Sequence, residues 1–200
     1  MDNTTPIRTA LISVYHKDGL EPVLEALYNA GVRFLSTGGT GDYIESLGYP
    51  CGRVEDVTGY PSILGGRVKT LHPLIFGGIL SRRDRVDDRA DVAKYNIAPI
   101  DLVLVDLYPF EKTVEEGGTC EEIIEKIDIG GISLIRAAAK NYKDVTIVAS
   151  RSEYGEFLDI VKKQGANTTE KQRHELATKA FSVTSHYDTA IHQWFELNNK

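Results

Sequence analysis

Residues 101–107, DLVLVDL, form an apolar run between two carboxylates and predict a strand that is buried on both faces. Such a strand belongs in a parallel sheet that carries helices on both sides. The runs at residues 8–14 (RTALISV), 32–36 and 145–149 predict further strands of the same sheet. Apolar residues recur at helical spacing in residues 20–28, as expected for a connecting helix. The predicted fold class is α/β, with a mostly parallel sheet flanked by helices.

Other segments carry helix signals of the same kind. Helices are predicted at residues 41–47, 87–95, 121–127, 131–140 and 153–163, and a long helical segment, continuous or broken, at residues 169–195. We expect the last helix to pack on the domain or on a second subunit. Asp18 followed by Glu21 resembles a capping box, and Ser152 is a good N-cap. Residues 52–80 are rich in glycine and proline and predict a long irregular loop, which is usually functional in a compact domain.

Composition bounds the class of protein. The chain has 200 residues, of which 42% are hydrophobic and 26% charged, as in one ordinary globular domain. It contains no membrane-spanning apolar run and no signal-peptide pattern at its start. Two cysteines far apart suggest a reducing compartment without a metal or disulfide framework. A net charge of −6 argues against a nucleic-acid surface. We therefore expect a cytoplasmic protein with no nucleic-acid or membrane partner.

The segment at residues 64–73, LGGRVKTLHP, predicts a rigid basic loop. Two glycines allow close approach of the backbone, and the proline is expected to stop a helix from forming through the segment. Arg67, Lys69 and Thr70 present two cations and a hydroxyl, which suit a small anionic ligand. For Arg67 and Lys69 alone, a solvated basic turn is the simpler interpretation.

A second candidate site follows the strand at residues 32–36. Thr37, Gly38, Gly39 and Thr40 predict a turn between that strand and a helix N-terminus, where main-chain N–H groups favour an anion. Lys17 lies just past the first strand, at the same edge of a parallel sheet. A Gly-Gly turn alone is more often only a turn. Its position after a strand, together with Lys17, predicts a phosphate cradle.

Three further residues are candidates on position alone. Asp128 precedes two glycines at a helix start, where it is either a ligand-binding carboxylate or an N-terminal cap. Lys140 ends the same helix, and its position fits a cation that stabilises the helix dipole. Tyr108 follows the strand at residues 101–107 and is either a site phenol or a rim aromatic. The five histidines show no nucleophile or metal spacing and are interpreted as structural or solvent-facing.

These motifs together resemble the IMP cyclohydrolase domain of the bifunctional purine-biosynthesis enzymes, which join it to an AICAR formyltransferase. The resemblance rests on TGGT at residues 37–40, LGGRVKTLHP at 64–73, LYPF at 107–110 and IDIGGISLIRAAAKN at 127–141. It implies a methylglyoxal-synthase-like fold and a homodimer. It also implies closure of the purine ring of 5-formamidoimidazole-4-carboxamide ribotide to inosine monophosphate with loss of water, with no metal and no cofactor.

The resemblance also implies a role for individual residues. Lys140 matches the proton-transfer lysine, Lys69 a lysine that polarises the reacting groups, Asp128 a residue hydrogen-bonded to the base, and Tyr108 a phenol near the formyl oxygen. The implied substrate contacts are Ser13, Tyr15, Lys17, Thr37, Gly38, Gly39, Thr40, Arg67, Val68, Thr70, Val105, Asp106, Ile129 and Gly130. Holding a weakly nucleophilic amide against a formyl group, with donors aimed at the developing oxyanion, requires such groups.

The chain departs from the family pattern at two positions. Tyr15 stands where a second serine is common, and Asp106 stands where many members have asparagine. An ionised carboxylate only accepts hydrogen bonds, so we expect no side-chain donor at position 106. The family usually continues into a formyltransferase domain, which is absent from these 200 residues. We therefore expect neither formyl transfer nor folate binding by this chain, and we expect an association with a separate AICAR formyltransferase.

Other functions remain open on the same fold. A methylglyoxal synthase would share the phosphate cradle but would not explain residues 64–73 or the helix that ends at Lys140. A nucleotide-sensing module would bind nucleotide without needing proton-transfer groups. Dinucleotide binding is weakly supported, because no G-x-G-x-x-G follows the first strand.

Overall fold

A five-stranded parallel sheet forms the centre of the fold in the computed structural model, which describes residues 4–198. The strands are β1 (Thr4–Pro6), β2 (Thr9–Val14), β3 (Arg33–Ser36), β4 (Cys51–Arg53), β5 (Leu102–Asp106), β6 (Thr146–Val148) and β7 (Asn167–Thr169). The main sheet has the order β4-β3-β2-β5-β6, and each neighbouring pair is parallel. This confirms the predicted sheet. β1 and β7 form a separate antiparallel pair that the sequence did not predict.

Helices connect the strands and cover both faces of the sheet. They are α1 (Glu21–Asn29), α2 (Gly38–Ser46), α3 (Val54–Thr58), α4 (Pro73–Leu80), α5 (Val86–Lys94), α6 (Phe110–Glu115), α7 (Cys120–Glu125), α8 (Gly130–Lys140), α9 (Tyr154–Gln164) and α10 (Glu170–Leu197). Short 3-10 turns lie at Leu64–Gly66 and Arg151–Glu153. None of the helices at residues 4–198 has the length and apolarity needed to cross a membrane.

The central strands feed two separate cores because successive side chains point to opposite faces. Leu11 and Val103 pack with apolar residues of α4, α8 and α10. Ala10, Ile12 and Leu104 pack with apolar residues of α1 and α9. All five side chains are fully buried. The sheet is therefore rigid at its middle, and the ends of β2 and β5 are fixed points for whatever follows them.

Helix α10 is a continuous helix of 28 residues that packs on α8 and β6. Thr169 and Gln172 form a capping box at its start, with each side chain bonded to the other's main-chain N–H. The Arg173 side chain is buried, and its guanidinium donates to three main-chain oxygens, those of Tyr142, Lys143 and Thr168. The expectation that this helix packs on the domain is confirmed.

Two predicted helix starts are wrong. Helix α1 begins at Glu21 with Leu20 as its N-cap and no side-chain cap, so the capping box at Asp18 does not form. The Asp18 carboxylate instead lies 3.3 Å from a guanidinium nitrogen of Arg151. Near Ser152, the hydroxyl of Ser150 caps a 3-10 turn, and α9 begins only at Tyr154.

The glycine-rich region at residues 52–80 is more regular than predicted. It contains α3, a 3-10 turn and α4. Pro73 begins α4 rather than stopping a helix, because a proline at the first helical position loses only an N–H group that has no intrahelical partner. His72 caps that helix, since its Nδ1 accepts a hydrogen bond from the main-chain N–H of Leu74 at 3.2 Å. This histidine is structural, as predicted.

Candidate functional site

A cavity of about 570 Å³ lies at the carboxyl ends of β2, β3 and β5. This is the edge of a parallel sheet where ligands usually bind. Predicted site residues that line it are Ser13, Tyr15, Lys17, Thr37, Gly39, Thr40, Arg67, Lys69, Thr70, Asp106, Tyr108, Asp128, Ile129 and Gly130. Segments far apart in the chain thus meet at one pocket.

The N-terminus of α2 forms one end of the pocket. The helix begins at Gly38, earlier than predicted, so the Gly-Gly dipeptide is its first turn rather than a preceding turn. Gly38 has a φ of 43°, in the left-handed region that favours glycine. The hydroxyl of Thr40 donates to the carbonyl of Val14 at 3.0 Å and accepts from its N–H at 3.1 Å. Thr40 therefore fixes the end of β2 against the helix, and its single O–H donor is already used.

Lys17 lies beside this helix start, with its ammonium turned back onto its own loop. Its Nζ donates to the carbonyls of Val14 at 2.8 Å and Tyr15 at 2.9 Å. Burial lowers the pKa of Lys17, and the negative charge of Asp106 partly opposes that effect. An anion placed here would restore the stabilisation that burial removes from the charged ammonium.

The loop at residues 64–73 presents Lys69 to the pocket through an unusual backbone. Leu64, Gly65 and Gly66 have φ values of 53°, 65° and 89°, three consecutive residues in the left-handed region. A Cβ atom at Gly66 would lie 3.0 Å from Cε of Lys69, and one at Gly38 would lie 3.5 Å from its Nζ. Gly66 therefore makes room for this lysine, which extends from the loop to the start of α2, where its ammonium lies close to Gly38.

Arg67 and Thr70 occupy different parts of the same loop. The Arg67 guanidinium pairs with the carboxylate of Glu125 on α7, and both side chains are largely exposed at the pocket rim. Thr70 is buried, and its hydroxyl would lie 3.0 Å from a Cβ atom at Gly130. The absence of a side chain at Gly130 thus brings the loop into contact with the start of α8.

Asp128 defines the other end of the pocket. Its Oδ1 accepts a hydrogen bond of 2.6 Å from the main-chain N–H of Gly131. Burial raises the pKa of Asp128, while that hydrogen bond and the charge of Lys69 oppose the rise. The carboxylate therefore caps the start of α8 and also lines the pocket, so the two interpretations of this residue are compatible.

Tyr108 stands near Asp128 at the end of β5. Burial raises the pKa of Tyr108, and the Asp128 carboxylate raises it further. The Tyr108 ring meets that of Tyr15 edge-on, with centroids 5.2 Å apart. The ammonium of Lys126 lies 5.1 Å from the Tyr15 centroid and 6.0 Å from the Tyr108 centroid, within cation–π range. Two phenols and one cation thus form the rim beside the carboxylate.

His16 and Asp106 form a pair that sequence reasoning did not identify. Oδ2 of Asp106 accepts from the main-chain N–H of His16 at 2.9 Å and lies 2.8 Å from Nδ1 of its ring. His16 therefore has a structural role, as predicted, and the carboxylate that it holds lines the pocket. Adjacent strand ends bring the two together, since Val14 of β2 pairs with Asp106 of β5.

Four predicted site residues do not line the pocket. Gly38 is not among the lining residues, although the ammonium of Lys69 lies close to it. The Val105 side chain is buried in the core, because it points away from the pocket along β5. Val68 is half-buried in the loop. Contacts from the main chains of Val68 and Val105 remain predictions.

Lys140 is the fourth, and its position matters most. It is exposed at the last turn of α8, whereas the pocket lies at the first turn of that helix. A helix of 11 residues spans roughly 16 Å. A single chain therefore does not bring Lys140 to Asp128, Lys69 and Tyr108.

Two residues of this region were missed by sequence reasoning. Lys126 lies over the tyrosine rings, and Tyr187 of α10 donates its phenol proton to the carbonyl of Lys126. Lys126 stands two residues before Asp128, so its nearness to a predicted site was available as a signal. Tyr187 carries no such signal, because it lies in a helix 59 residues from Asp128 and shows only an apolar helical spacing.

The sheet order and the pocket at its carboxyl edge define a parallel α/β domain with a polar small-molecule site. The family model described as the MGS-like domain matches residues 19–133, more than half of the chain, and the model described as the AICARFT/IMPCHase bienzyme matches residues 138–200. The chain belongs to the MGS-like domain family.

Relatives and a solved structure agree with this assignment. The chain is 61% identical to the bifunctional purine biosynthesis protein PurH of Bacteroides thetaiotaomicron, over 98% of this chain and 39% of the relative. It is 47% identical to PurH of Rhodospirillum rubrum, over 98% of this chain and 37% of the relative. The crystal structure of ForH matches with a TM-score of 0.79 and 32% identity, over 94% of this chain and 99% of that one. The chain thus spans less than two fifths of the length of these PurH relatives.

Proposed function

We propose that this chain closes the second ring of inosine monophosphate from 5-formamidoimidazole-4-carboxamide ribotide. The observation that carries the proposal is one pocket with a helix N-terminus and Lys17 at one end and a buried carboxylate beside a phenol at the other. A ribotide has the same polarity, with a phosphate at one end and a base at the other. The similarity to PurH proteins supports ring closure over the methylglyoxal-synthase and nucleotide-sensing alternatives.

In the proposed complex the phosphate binds at the start of α2. The main-chain N–H groups of the first turn and Lys17 surround that position, and the ammonium of Lys69, whose charge also acts on Asp128, polarises the reacting groups. Positive charge and the helix N-terminus both favour an anion there. The base then extends towards Asp128 and Tyr108, which places its two substituents between a carboxylate and a phenol.

The chemistry needs positioning and proton transfer. The carboxamide nitrogen attacks the formyl carbon, forming one carbon–nitrogen bond and a tetrahedral adduct. That adduct loses the former formyl oxygen as water, with one proton from each of the two nitrogens. Asp128 accepts a hydrogen bond from the attacking amide, which orients a poor nucleophile. Tyr108 donates to the formyl oxygen, where negative charge develops.

Lys140 enters this scheme through a second copy of the chain. We propose a homodimer in which the exposed end of one α8 presents Lys140 to the pocket of its partner. The proposal follows from the distance that separates Lys140 from the pocket of its own chain and from the proton-transfer role that the resemblance implies. An association with a separate AICAR formyltransferase is proposed as the source of the formylated substrate. A charged ribotide crosses membranes poorly, so we place the reaction in the cytoplasm.

Direct assay of the chain tests the proposed activity. The purified protein is incubated with 5-formamidoimidazole-4-carboxamide ribotide, and inosine monophosphate is measured by liquid chromatography; dihydroxyacetone phosphate serves as the rival substrate. We expect purine product and no methylglyoxal. Lys69→Met should lose activity by a factor of about 100 or more, whereas Lys94→Met on the exposed face of α5 should not. Methylglyoxal without purine product would refute the proposal.

Mixing two inactive variants tests the shared site. Lys140→Ala and Asp128→Asn are each expected to be inactive as homodimers. A mixed dimer restores one intact pocket, because one subunit supplies Asp128 and the other supplies Lys140. Activity that reappears after subunit exchange supports the arrangement. If exchange is shown by mass spectrometry and activity stays absent, Lys140 does not act across an interface.

A further inference from the structure

The phenol of Tyr187 joins the long C-terminal helix to the carboxylate end of the pocket. Its hydroxyl accepts a hydrogen bond from the main-chain N–H of Asp128 at 2.8 Å. The same hydroxyl donates to the main-chain carbonyl of Lys126, also at 2.8 Å. One buried oxygen thus satisfies a donor and an acceptor on either side of Ile127 and fixes the turn that leads into α8.

That turn sets the direction of two side chains at the pocket. The main-chain N–H of Asp128 donates to Tyr187, and the Asp128 carboxylate accepts a hydrogen bond from the N–H of Gly131. On the other side, the Lys126 ammonium lies over the ring of Tyr15. A rotation of the Lys126–Asp128 backbone would therefore move a carboxylate and a cation at once.

The surroundings of Tyr187 make its hydroxyl a fixed point. The side chain is 6% exposed and belongs to a small core cluster with Phe110, Ile123 and Trp194. Its ring meets that of Phe110 edge-on, with centroids 6.2 Å apart. Burial raises the pKa of Tyr187 to about 12, so the phenol keeps the proton that it donates. Phe110 begins α6, two residues after Tyr108, so the same cluster supports both halves of this end of the pocket.

We propose that Tyr187 is a positioning residue for the Asp128 end of the pocket and acts through the main chain of Lys126 and Asp128. The role rests on the proposed ring closure, in which Asp128 orients the attacking amide. A phenylalanine at this position keeps the ring and its packing but removes both hydrogen bonds. The turn then loses the two constraints that align the carboxylate, while the phosphate end, built from β2, β3 and α2, stays intact.

The test compares Tyr187→Phe with Tyr154→Phe. Tyr154 is buried to a similar extent, and its hydroxyl has no hydrogen-bond partner among residues 4–198, so its loss removes a buried phenol oxygen without releasing a turn. We expect kcat to fall about tenfold or more in Tyr187→Phe with KM within about threefold, because positioning affects the reacting groups more than phosphate binding. Tyr154→Phe should keep wild-type kcat.

Hydrogen exchange provides a readout that does not depend on activity. The amide of Asp128 should exchange at least about tenfold faster in Tyr187→Phe, while amides in β2 and β5 keep their protection. Unchanged exchange at Asp128, or an unchanged kcat, overturns the proposal. Equal losses of kcat in the two variants also overturn it, since they indicate a general loss of packing. If the wild-type chain makes no purine product, the proposed function fails, and exchange at Asp128 still decides whether Tyr187 holds this turn.

Discussion

Replacing Gly131 with alanine should misplace the pocket carboxylate without weakening helix α8. Gly131 is the second residue of α8, and its N–H bonds Oδ1 of Asp128 at 2.6 Å. A Cβ atom added there would lie 2.6 Å from Oδ2 and 3.0 Å from Oδ1 and Cγ of that carboxyl group. Real side chains do not sustain the shorter contact, so the carboxylate has to withdraw by about half an ångström or rotate.

The size of the effect follows from opposing contributions. Alanine gains about 0.5–1 kcal/mol over glycine inside a helix. Overpacking costs about 1–3 kcal/mol, so the free energy of unfolding should decrease by about 0–2.5 kcal/mol. Activity should respond far more strongly, because displacing a reacting group by a fraction of an ångström to one ångström costs up to about 100-fold in rate. We expect kcat for ring closure to fall between about 10- and 100-fold.

Gly155→Ala is the matched control. Gly155 is the second residue of α9, a helix of the same length of 11 residues, and a Cβ atom there would meet nothing within 4 Å. It should gain stability by about 0.5–1 kcal/mol and keep wild-type activity. Steady-state kinetics and urea denaturation of both variants decide the matter. If Gly131→Ala has the kcat of Gly155→Ala, the exact position of the Asp128 carboxylate does not limit the reaction.

Three other substitutions test separate parts of the structure. The stability of Asp128→Asn relative to the wild type should increase as pH rises from the ordinary carboxyl pKa through the raised pKa of native Asp128. The reason is that the folded carboxyl holds its proton more tightly than the unfolded one. Urea denaturation at several pH values measures the difference, and the absence of this trend contradicts the prediction. Thr40→Val should lower the free energy of unfolding by about 1–3 kcal/mol, because it leaves the N–H of Val14 unpaired. It should also weaken the binding of inosine monophosphate measured by calorimetry, and an unchanged affinity would show that Thr40 does not support the phosphate cradle. Arg173→Met should lower the free energy of unfolding by about 3 kcal/mol, since three carbonyls lose their donor. The nucleotide affinity of the folded protein should stay unchanged. A melting temperature equal to that of the wild type would refute the prediction.

The edge strand β4 is half-exposed, carries no apolar run and was not predicted. The other four strands of the sheet were predictable because they lie in continuous apolar runs. Residues 101–107 illustrate this, since Leu102–Asp106 forms a strand in the middle of the sheet. The three-residue strands β1 and β7 carry no such run, and only their pairing makes them strands. Helix α4 escaped prediction because its two internal glycines and leading proline are typical of loops. Tertiary packing, rather than local propensity, therefore determines the structure of β1, β7 and α4.

The pocket was predictable as a set of motifs but not as a geometry. Motifs at the ends of parallel strands must meet, which is why Lys17, Thr37 and Tyr108 line one cavity. The role of Gly66 was not predictable. The sequence suggested a glycine that lets a ligand approach the backbone, whereas the space beside Gly66 is occupied by Lys69 of the same loop. Lys140 lies at the opposite end of α8 from Asp128, and the helix predicted at residues 131–140 already implied that separation.

The two departures from the family pattern alter one corner of the pocket together. Asp106 cannot donate a hydrogen bond when ionised, yet His16 supplies it with a main-chain N–H and a ring nitrogen, so the carboxylate is satisfied within the protein. Tyr15, next to His16, places its hydroxyl 3.5 Å from the Lys126 ammonium rather than at the position of a short serine side chain. Val14, which precedes Tyr15, pairs with Asp106 across adjacent strands, so the backbone couples the positions of Tyr15 and Asp106. At this corner the pocket therefore presents a carboxylate held by His16 and an aromatic rim that carries a cation.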